Sequence, residues 1–356
     1  MNYAAILAGG HGTRLWPISR KNSPKQTERF FNNKTLLQIT YERTCSIFPK
    51  QNIFISCGVS QYPIFKKQLK GIKKENFIIE PEARGTAMAI GFACISILRR
   101  DKNAKIVMVN SDHYIDDLQT YKKEIKSCLA SIEDNPQGVS LIGISPTYPE
   151  TGYGYIEIGK FFKNYNSNKF FKVIKFKEKP DLNTARKYLK SGRFLWNPAW
   201  FVFRADTMIS LFKKHLPNHF KSLDNIEHNF CSNTIIKEFR KVDNISIDYG
   251  IIEKIKNMLI LPSRIVWRDI GTWGAIADCF GKQGENLVDA NVVSVDSRNN
   301  LIVNKDKSKI ISLVGVDDMV IVDTKDALFV CPKNRSQEVK SIISILKKNN
   351  KYKKYL

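Results

Sequence analysis

Glycines and basic residues follow a short apolar run at the start of the chain. Tyr3–Leu7 is long enough for a buried strand, and the sequence GGHGTR follows it over residues 9–14. Glycines let a backbone turn with positive φ and bring N–H groups close to a ligand, and such turns after a strand hold phosphates in many α/β proteins. Arg14 and Lys25 add two cations beyond the glycines. The stretch therefore predicts a loop that binds a polyanion and offsets its charge.

This loop matches neither of two common phosphate-binding signatures. A Walker A loop needs G-x-x-x-x-G-K-[ST], and no Lys-Ser or Lys-Thr follows these glycines. The dinucleotide signature G-x-G-x-x-G fails because Leu15 stands where its third glycine should be. The alternative interpretation is an ordinary glycine-rich turn with solvated cations.

Two aspartates from distant parts of the sequence offer ligands for a divalent cation. Asp112 follows the apolar run Lys105–Val109, and ligands of open α/β sheets bind beyond the carboxyl ends of strands. Asp269 follows the apolar run Leu259–Val266 and precedes Ile-Gly. Because Mg²⁺ commonly takes one or two carboxylates together with substrate phosphates and water, the pair predicts a Mg²⁺ site. The alternative is that both residues only cap or form turns.

Polar residues in three further stretches are candidates for contacts with a sugar or a nucleoside. Lys179 precedes a proline, which predicts an extended backbone that can aim its ammonium into a site, and Glu178 could accept hydrogen bonds from sugar hydroxyls. Gly154 interrupts a strand and permits close approach of a flat ligand such as a sugar ring. Glu80 and Thr86 lie between a strand and a helix whose N-terminus could meet a base or ribose. The structural alternatives are an edge-strand ion pair, a strand bulge and a capping loop.

Two histidines are candidates for the site, and a third is expected to lie at the surface. His11 and His113 lie in the glycine loop and beside Asp112, so either imidazole could touch phosphate. His219 stands four residues after another histidine, but Pro217 intervenes and no H-E-x-x-H motif is present. We therefore expect His219 to be a surface residue.

The elements that must position these residues predict an α/β protein. In the first third of the chain, strand-like runs alternate with helix-like runs, which is typical of βαβ units with a parallel sheet covered by helices. The predicted strands are Tyr3–Leu7, Asn52–Cys57, Phe77–Ile79, Lys105–Val109 and Val139–Ile144, and the predicted helices are Leu36–Cys45, Pro63–Lys70, Thr86–Arg100 and Lys122–Ser131. After about residue 151 strands mix with single helices, at Leu182–Ser191 and Ala205–Lys214.

Five short strand-like units between residues 291 and 332 predict a separate small β piece. Their close spacing fits strands coiled like a β-helix. A helix follows over about residues 336–348, and the Lys/Asn tail at 347–354 is expected to fray. The apolar stripe of that helix is predicted to be Val339, Ile342, Ile343, Ile345 and Leu346. We expect two domains, at residues 1–283 and 284–356.

Composition and charge narrow the class of protein. Of 356 residues 43% are hydrophobic, which suffices for a core, and no apolar run approaches the ~20 residues of a membrane span. No signal peptide is visible, so we expect a soluble, cytoplasmic protein with no membrane partner. The formal net charge of +23 comes mostly from lysines scattered among asparagines, which favours anionic substrates over nucleic acid. The seven cysteines form no C-x-x-C pair, so we expect reduced thiols.

Nine segments, which follow one another along nearly the whole chain, resemble the sugar-phosphate nucleotidyltransferases. Among these enzymes they are most similar to the type that makes GDP-mannose. The resembling segments are LAGGHGTRLWPISR…PKQ, EPEARGTAMAI, VNSDHYI, ETGYGYIEIG, FKEKP, WNPAWFVF, ISIDYGIIEK, VWRDIGTW and, in the tail, GVDDMVIVDTKDALFVCP. The resemblance implies a Rossmann-like α/β domain with a mixed central sheet, plus a small C-terminal β-helix-like domain and a terminal helix. It implies nucleotidyl transfer from GTP to α-D-mannose 1-phosphate with Mg²⁺, and it suggests a homodimer.

The resemblance also implies roles for individual residues. Arg14, Lys25, Asp112 and Lys179 are implied as catalytic; Leu7, Gly9, Gly10, Gly12, Thr13, Glu80 and Thr86 as nucleotide contacts; Gly154, Glu178, Lys179 and Asn197 as sugar-phosphate contacts; and Asp112 and Asp269 as metal ligands. Because family members with an appended phosphomannose isomerase module are longer, we expect the transferase activity alone.

Three positions depart from the family's pattern. Gly85 stands where the family usually has Asn, Asn197-Pro198-Ala199 stands for Asn-Ser-Gly, and Thr27 stands for Phe after PKQ. Two alternatives therefore stay open. One is transfer involving another hexose or heptose 1-phosphate or another nucleotide. The other is a non-catalytic nucleotide-sugar sensor.

Overall fold

The structure, a computed structural model, describes residues 1–10, 12–20, 23–30 and 33–356. Within these residues the strands are β1 (Asn2–Leu7), β2 (Ile53–Gly58), β3 (Phe77–Glu80), β4 (Lys105–Asn110), β5 (His113–Ile115), β6 (Val139–Ile144), β7 (Gly154–Tyr165), β8 (Asn168–Lys177), β9 (Phe194–Asn197), β10 (Phe201–Arg204), β11 (Met258–Ser263), β12 (Trp267–Asp269), β13 (Leu287–Asp289), β14 (Asn291–Val295), β15 (Leu301–Asn304), β16 (Ile310–Val314), β17 (Met319–Asp323) and β18 (Leu328–Pro332). The α-helices are α1 (Leu36–Cys45), α2 (Tyr62–Gln68), α3 (Gly85–Leu98), α4 (Leu118–Asp134), α5 (Leu182–Ser191), α6 (Ala205–His215), α7 (Pro217–His228), α8 (Ser232–Lys241), α9 (Ile247–Gly250), α10 (Trp273–Phe280) and α11 (Val339–Lys348). None of the helices in these ranges is long and apolar enough to cross a bilayer.

A ten-stranded mixed sheet has the strand order β11-β8-β7-β9-β6-β10-β4-β1-β2-β3. Strands β4, β1, β2 and β3 run parallel, as the alternation of strands and helices predicts, whereas β10 runs antiparallel between β4 and β6. Strand β11 also pairs with β6, so that β11, β8, β7, β9 and β6 close into a ring. The predicted α/β class with a mixed central sheet is confirmed.

This sheet belongs to the first of two compact units, which comprises residues 1–9, 41–110 and 115–267. Helix α3 lies in the core of this unit because almost every residue from Ala87 to Leu98 is apolar, and nearly all of them are buried. A helix that is apolar on all sides is stable only when it is surrounded. The sheet and this central helix fix the strand and helix ends that carry Glu80, Thr86 and Asn197.

The second compact unit comprises residues 10–40, 111–114 and 268–356. In it β13, β15 and β17 pair in parallel, as do β14 and β16, while β18 runs antiparallel to β17. The parallel register places Leu301 beside Val320 and Val303 beside Val322, and all four side chains are buried. The predicted small β-helix-like piece is therefore confirmed. The domain boundary between residues 283 and 284 stays a prediction.

Residues 205–250 differ from prediction, because they form the four helices α6–α9 instead of single helices among strands. His219, which we expected at the surface, is only 2% exposed. Pro217 does end one helix, but α7 begins at that residue and places His219, Leu223 and Ile226 at helical spacing on its buried side. The His219 Nε2 atom lies 3.1 Å from the carbonyl oxygen of Asp243.

The C-terminal helix and tail also differ from prediction. Ile342 and Ile345, two of the five predicted stripe residues, are exposed, because a helix that packs on one side buries a single face. The tail that we expected to fray forms a 3₁₀ helix over Asn350–Tyr355. The indole Nε1 of Trp16 donates a 2.7 Å hydrogen bond to the Tyr355 carbonyl and holds this tail in place.

Candidate active site

Three potential metal ligands converge in the second compact unit. Asp112 follows the end of β4 by two residues, and Asp269 is the last residue of β12. The Ile270 N–H donates a 3.0 Å hydrogen bond to the Asp112 carbonyl, which ties the two segments together. One ligand atom from each of Asp112, His113 and Asp269 lies within 4.8 Å of the others. The two aspartates that sequence reasoning paired are therefore neighbours.

Asp269 also has a buried oxygen that its surroundings leave unsatisfied. Among the residues that the structure describes, none donates a hydrogen bond to Asp269 Oδ1, although this atom is sealed from solvent. A buried carboxylate oxygen without a donor is costly unless a ligand satisfies it. Two carboxylates, one of which carries this orphaned acceptor, form an oxygen-rich ligand set of the kind that Mg²⁺ prefers. The residues present fit a divalent cation.

Lys25 brings a buried positive charge to the same cluster. It lies in a 3₁₀ turn, Lys25–Thr27, is 8% exposed, and its Nζ forms an ion pair with Asp112 Oδ2. Burial alone would lower the pKa of Lys25, but the carboxylates of Asp112 and Asp269 outweigh burial and raise it. Burial works to raise the pKa of Asp112, but Lys25 and His113 outweigh it and keep this pKa below its usual value. Both partners are therefore charged.

The glycine loop packs directly against Lys25. Gly12 has a φ of 63°, and a Cβ at this position would lie 2.4 Å from Lys25 Cγ, so glycine is required both for the turn and for the contact. The Gly10 carbonyl accepts a 2.8 Å hydrogen bond from Gln26 Nε2, which clamps the loop to the turn that carries Lys25. Gln26 had no predicted role, although it stands in the PKQ segment.

The remaining residues of the loop have less defined surroundings. Thr13 is exposed and Arg14 partly exposed in a 3₁₀ helix, Thr13–Leu15, and the charge of Arg14 acts on Lys25. A second cation therefore stands near the buried one, as the sequence predicts. His11, which we expected to touch phosphate, lies outside the described residues.

In the first compact unit, Leu7 ends β1 and Glu80 ends β3 near Gly9. Glu80 is buried, and its Oε1 accepts a 2.7 Å hydrogen bond from Ser56 Oγ. Burial raises the pKa of Glu80, and the Ser56 hydroxyl partly opposes this. A Cβ on Gly9 would lie 3.5 Å from Glu80 Oε1, so the glycine backbone passes beside this carboxyl. The resemblance implied that Gly9 and Glu80 each contact the nucleotide, and in the structure the two residues lie side by side.

Helix α3 begins at Gly85 and is held to the segment before α9. The Ile247 N–H donates a 2.9 Å hydrogen bond to Thr86 Oγ1, and the Ala87 N–H donates a 3.1 Å bond to the Ile245 carbonyl. Gly85 has a φ of 76°, and a Cβ there would lie 2.2 Å from the Ile245 oxygen. A residue with a Cβ at position 85 would therefore require the Ile245 backbone to shift.

A second cluster of the first unit gathers the predicted sugar contacts. Gly154 begins β7 and pairs with Asn197 at the end of β9, while Glu178 follows β8. A Cβ on Gly154 would lie 2.6 Å from Glu178 Oε2, so this glycine keeps the space in front of the carboxylate open. The Glu178 N–H donates a 2.8 Å hydrogen bond to Glu253 Oε1, which fixes the turn.

Lys179 does not have the extended backbone that we predicted. Its φ is 43°, in the left-handed region, and its Nζ forms an ion pair with Glu178 Oε1. The turn fixed by the hydrogen bond from Glu178 to Glu253 overrides the preference that Pro180 imposes. The Lys179 side chain remains 54% exposed, so its ammonium is open to solvent.

Sequence reasoning missed Asp248 in this cluster. Asp248 lies in α9, and its Oδ1 accepts a 3.0 Å hydrogen bond from Asn197 Nδ2. Burial, and then the charge of Glu178, raise the pKa of Asp248 to about 7. Asp248 and Glu253 both lie in the segment ISIDYGIIEK, which is one of the segments that carry the resemblance. No sequence motif assigned a role to either acidic residue.

Comparisons with known proteins agree with this architecture. A family model described as nucleotidyl transferase matches residues 3–285, and one described as MannoseP isomerase/GMP-like beta-helix domain matches residues 290–346. The chain is 34% identical over 364 residues to the mannose-1-phosphate guanylyltransferase RfbM of Salmonella typhimurium. This alignment covers 98% of this chain and 74% of that protein. It is 31% identical over 352 residues to the xanthan biosynthesis protein XanB of Xanthomonas campestris pv. campestris, covering 96% of this chain and 72% of that protein.

Solved structures show the same relationship. A protein described as mannose-1-phosphate geranyltransferase from Thermus thermophilus superposes with a TM-score of 0.88 at 30% identity, covering 97% of this chain and 99% of that chain. A mannose-6-phosphate isomerase from Helicobacter pylori has a TM-score of 0.61 at 25% identity, covering 75% of this chain and 99% of that chain. The family model spans most of the sequence, so the chain belongs to the nucleotidyl transferase family.

Proposed function

We propose that this protein transfers the guanylyl group of GTP to α-D-mannose 1-phosphate, giving GDP-mannose and pyrophosphate. The observation that carries the proposal is the cluster of buried Lys25 with the half-buried Asp112 and Asp269 beside a glycine loop. Such a cluster suits a polyphosphate bound with a divalent cation. The choice of substrates is supported by relatives named mannose-1-phosphate guanylyltransferase, from Salmonella and Escherichia coli, at 32–34% identity.

The reaction itself needs no covalent enzyme intermediate. A phosphate oxygen of mannose 1-phosphate attacks the α-phosphorus of GTP, and the bond from that phosphorus to the β-phosphate oxygen breaks. Pyrophosphate leaves with the bonding electrons. Because the attacking phosphate is already an anion at neutral pH, no strong general base is required. Catalysis therefore consists of positioning the two phosphates and neutralising their charge.

The charged residues of the second unit supply that neutralisation. A Mg²⁺ ion held by Asp112 and Asp269 would screen the charge of the reacting phosphates when bound. Lys25 is buried and protonated, so its ammonium can face a phosphate without being solvated by water. Arg14 adds a partly exposed cation, which we assign to the leaving pyrophosphate. We assign Gly10, Gly12 and Thr13 to the triphosphate through their backbone N–H groups.

We assign selection of the base to Glu80. A carboxylate can accept hydrogen bonds from both N1–H and the 2-amino group of guanine, whereas adenine has neither donor at these positions. Glu80 is buried, and its carboxylate has acceptor capacity in addition to the hydrogen bond that Oε1 accepts from Ser56 Oγ. Both observations support this assignment. Leu7, Gly9 and Thr86 are assigned to the same nucleoside as predicted contacts.

We assign the sugar 1-phosphate to the cluster around Gly154. Lys179 offers an exposed ammonium to the sugar phosphate, and Glu178 Oε2 faces the space that Gly154 keeps open. Asn197 stays a predicted sugar contact. Two further proposals are that the protein acts in the cytoplasm and, from the resemblance alone, that it is a homodimer. Sedimentation analysis tests the second of these.

A panel of nucleoside triphosphates against sugar 1-phosphates, with Mg²⁺, tests the proposal through release of pyrophosphate. We expect GTP with mannose 1-phosphate to give the highest kcat/KM. Asp269→Asn should lower kcat by ~10²–10³, whereas Asp278→Asn, an exposed carboxylate of α10, should not change it. Release from no pair would overturn the enzyme assignment in favour of a nucleotide-sugar sensor. A preference for another pair would correct the substrates.

A further inference from the structure

The amide of Asn197 already has partners inside the protein. Its Nδ2 donates a 3.0 Å hydrogen bond to Asp248 Oδ1, and its Oδ1 accepts a 2.8 Å hydrogen bond from the Ala199 N–H. An amide offers two acceptor lone pairs and two N–H donors, so these two bonds use one of each. Asn197 is therefore arranged to hold Asp248 and the turn that follows β9.

The carboxyl of Asp248, in contrast, has an oxygen left over. Its Oδ1 accepts from Asn197, its own backbone N–H also interacts with the carboxyl, and no other described residue donates a hydrogen bond to Oδ2. The side chain is half-buried, so this oxygen is not sealed inside the fold. Helix α9 holds the residue in place, because Ser246 Oγ caps it by accepting a hydrogen bond from the Tyr249 N–H.

Asp248 shares its surroundings with the other groups of the sugar cluster. Glu178 and Lys179 act on its charge, and Asn197 links it to the strand that pairs with Gly154. Lys179 is paired to Glu178 Oε1, so the two carboxyls together leave this cluster rich in acceptors. The acceptors of these carboxyls attract the hydroxyl donors of a sugar ring.

We propose that Asp248 binds one hydroxyl of the hexose directly, and that Asn197 is a positioning residue that holds the Asp248 carboxyl for this contact. The inference rests on the proposed function, because it names the residue that reads the sugar of the same substrate. A sugar that lacks the matching hydroxyl covers this carboxyl oxygen without pairing it, which is how a polar site rejects an analogue.

The test compares mannose 1-phosphate with its 2-, 3-, 4- and 6-deoxy analogues at saturating GTP, using the wild-type chain and Asp248→Ala. In the wild type, removal of the contacted hydroxyl should lower kcat/KM about 10- to 100-fold. In Asp248→Ala that one penalty should shrink to within about threefold, while the other three penalties and the KM for GTP stay unchanged. Equal penalties in both proteins would overturn the direct contact.

Two further variants separate positioning from general damage. Asn197→Asp keeps an acceptor for the Ala199 N–H but loses the donor to Asp248, so the same single penalty should shrink. If its penalties match the wild type at every position, Asn197 does not position Asp248. Asp243→Asn, an exposed carboxylate five residues before Asp248, should keep every wild-type penalty.

The outcome also distinguishes the two proposals. If the wild-type chain releases no pyrophosphate with mannose 1-phosphate, the proposed function fails. The inference is then tested by calorimetric binding of the same four analogues. If Asp248→Ala is unstable, Asp248→Asn is used, with its melting temperature measured beside the wild type. Binding penalties unaffected by either variant would overturn the inference.

Discussion

A single added methyl group at Gly12 should impair the chemistry as strongly as removal of Lys25. Gly12 has a φ of 63°, which costs a residue with a Cβ roughly 1–2 kcal/mol. The new Cβ would lie 2.4 Å from Lys25 Cγ, far inside van der Waals contact. Because Lys25 is buried, its side chain can yield only by leaving Asp112. We therefore expect Gly12→Ala to lower kcat by ~10²–10³, the usual effect of losing one donor to transition-state charge.

The assay is steady-state pyrophosphate release by four variants: Gly12→Ala, Lys25→Ala, the double variant and Gly192→Ala. Gly192→Ala is the matched control, because Gly192 has a similar φ of 65° and a Cβ there would meet no atom of the described residues within 4 Å. Its kcat should stay within about threefold of the wild type. The kcat of the double variant should lie within about threefold of the kcat of Lys25→Ala, because both changes act through the Lys25 side chain.

Two results would refute this reasoning. A wild-type kcat in Gly12→Ala would show that Lys25 tolerates the added methyl group or plays no part in the reaction. A double variant whose loss is the product of the two single losses would show that Gly12 and Lys25 act independently. Circular dichroism melting of each variant separates loss of catalysis from loss of fold.

Three further changes test other parts of the account. Glu80→Gln should lower the ratio of kcat/KM for GTP over ATP about 10- to 100-fold, measured by pyrophosphate release; an unchanged ratio would remove Glu80 from base selection. Ala199→Gly should raise the free energy of unfolding by about 0.5–1 kcal/mol in urea denaturation, because Ala199 has a φ of 55°; a loss of stability would contradict this. Burial raises the pKa of Glu124 from 4.5 to about 7, so the folded state keeps this proton to higher pH and stability should fall, by up to about 3 kcal/mol, as pH rises from 4.5 to 7. Glu124→Gln should flatten that part of the stability profile, and an equal slope in both proteins would contradict the assignment.

Elements with a clear period were predictable from the sequence. Helices Leu36–Cys45 and Leu182–Ser191 have the predicted bounds, because an amphipathic or apolar pattern ends at turn residues there. Strand Val139–Ile144 and the five units of the β-helix-like piece followed from short apolar runs between turn residues. The convergence of Asp112 and Asp269 was predicted from their places after apolar runs and from the resemblance, not from any local spacing. Their role as metal ligands stays a prediction.

The rest depended on contacts between residues far apart in the sequence. The left-handed φ of Lys179 results from a turn held by Glu253, which no local rule relates to the proline that follows Lys179. The burial of His219 depends on which side of α7 faces the core. Asp248 joins the sugar cluster only because Asn197 donates to it across 51 positions of sequence.

Transfer of the labelled α-phosphate of GTP tests the central claim most directly. With mannose 1-phosphate and Mg²⁺, we predict that this label appears in GDP-mannose, that label in the γ-phosphate appears in pyrophosphate, and that both depend on Asp269. A result in which no sugar and nucleotide pair moves the α-label into a nucleotide sugar, or in which the label ends in free GMP, would contradict guanylyl transfer.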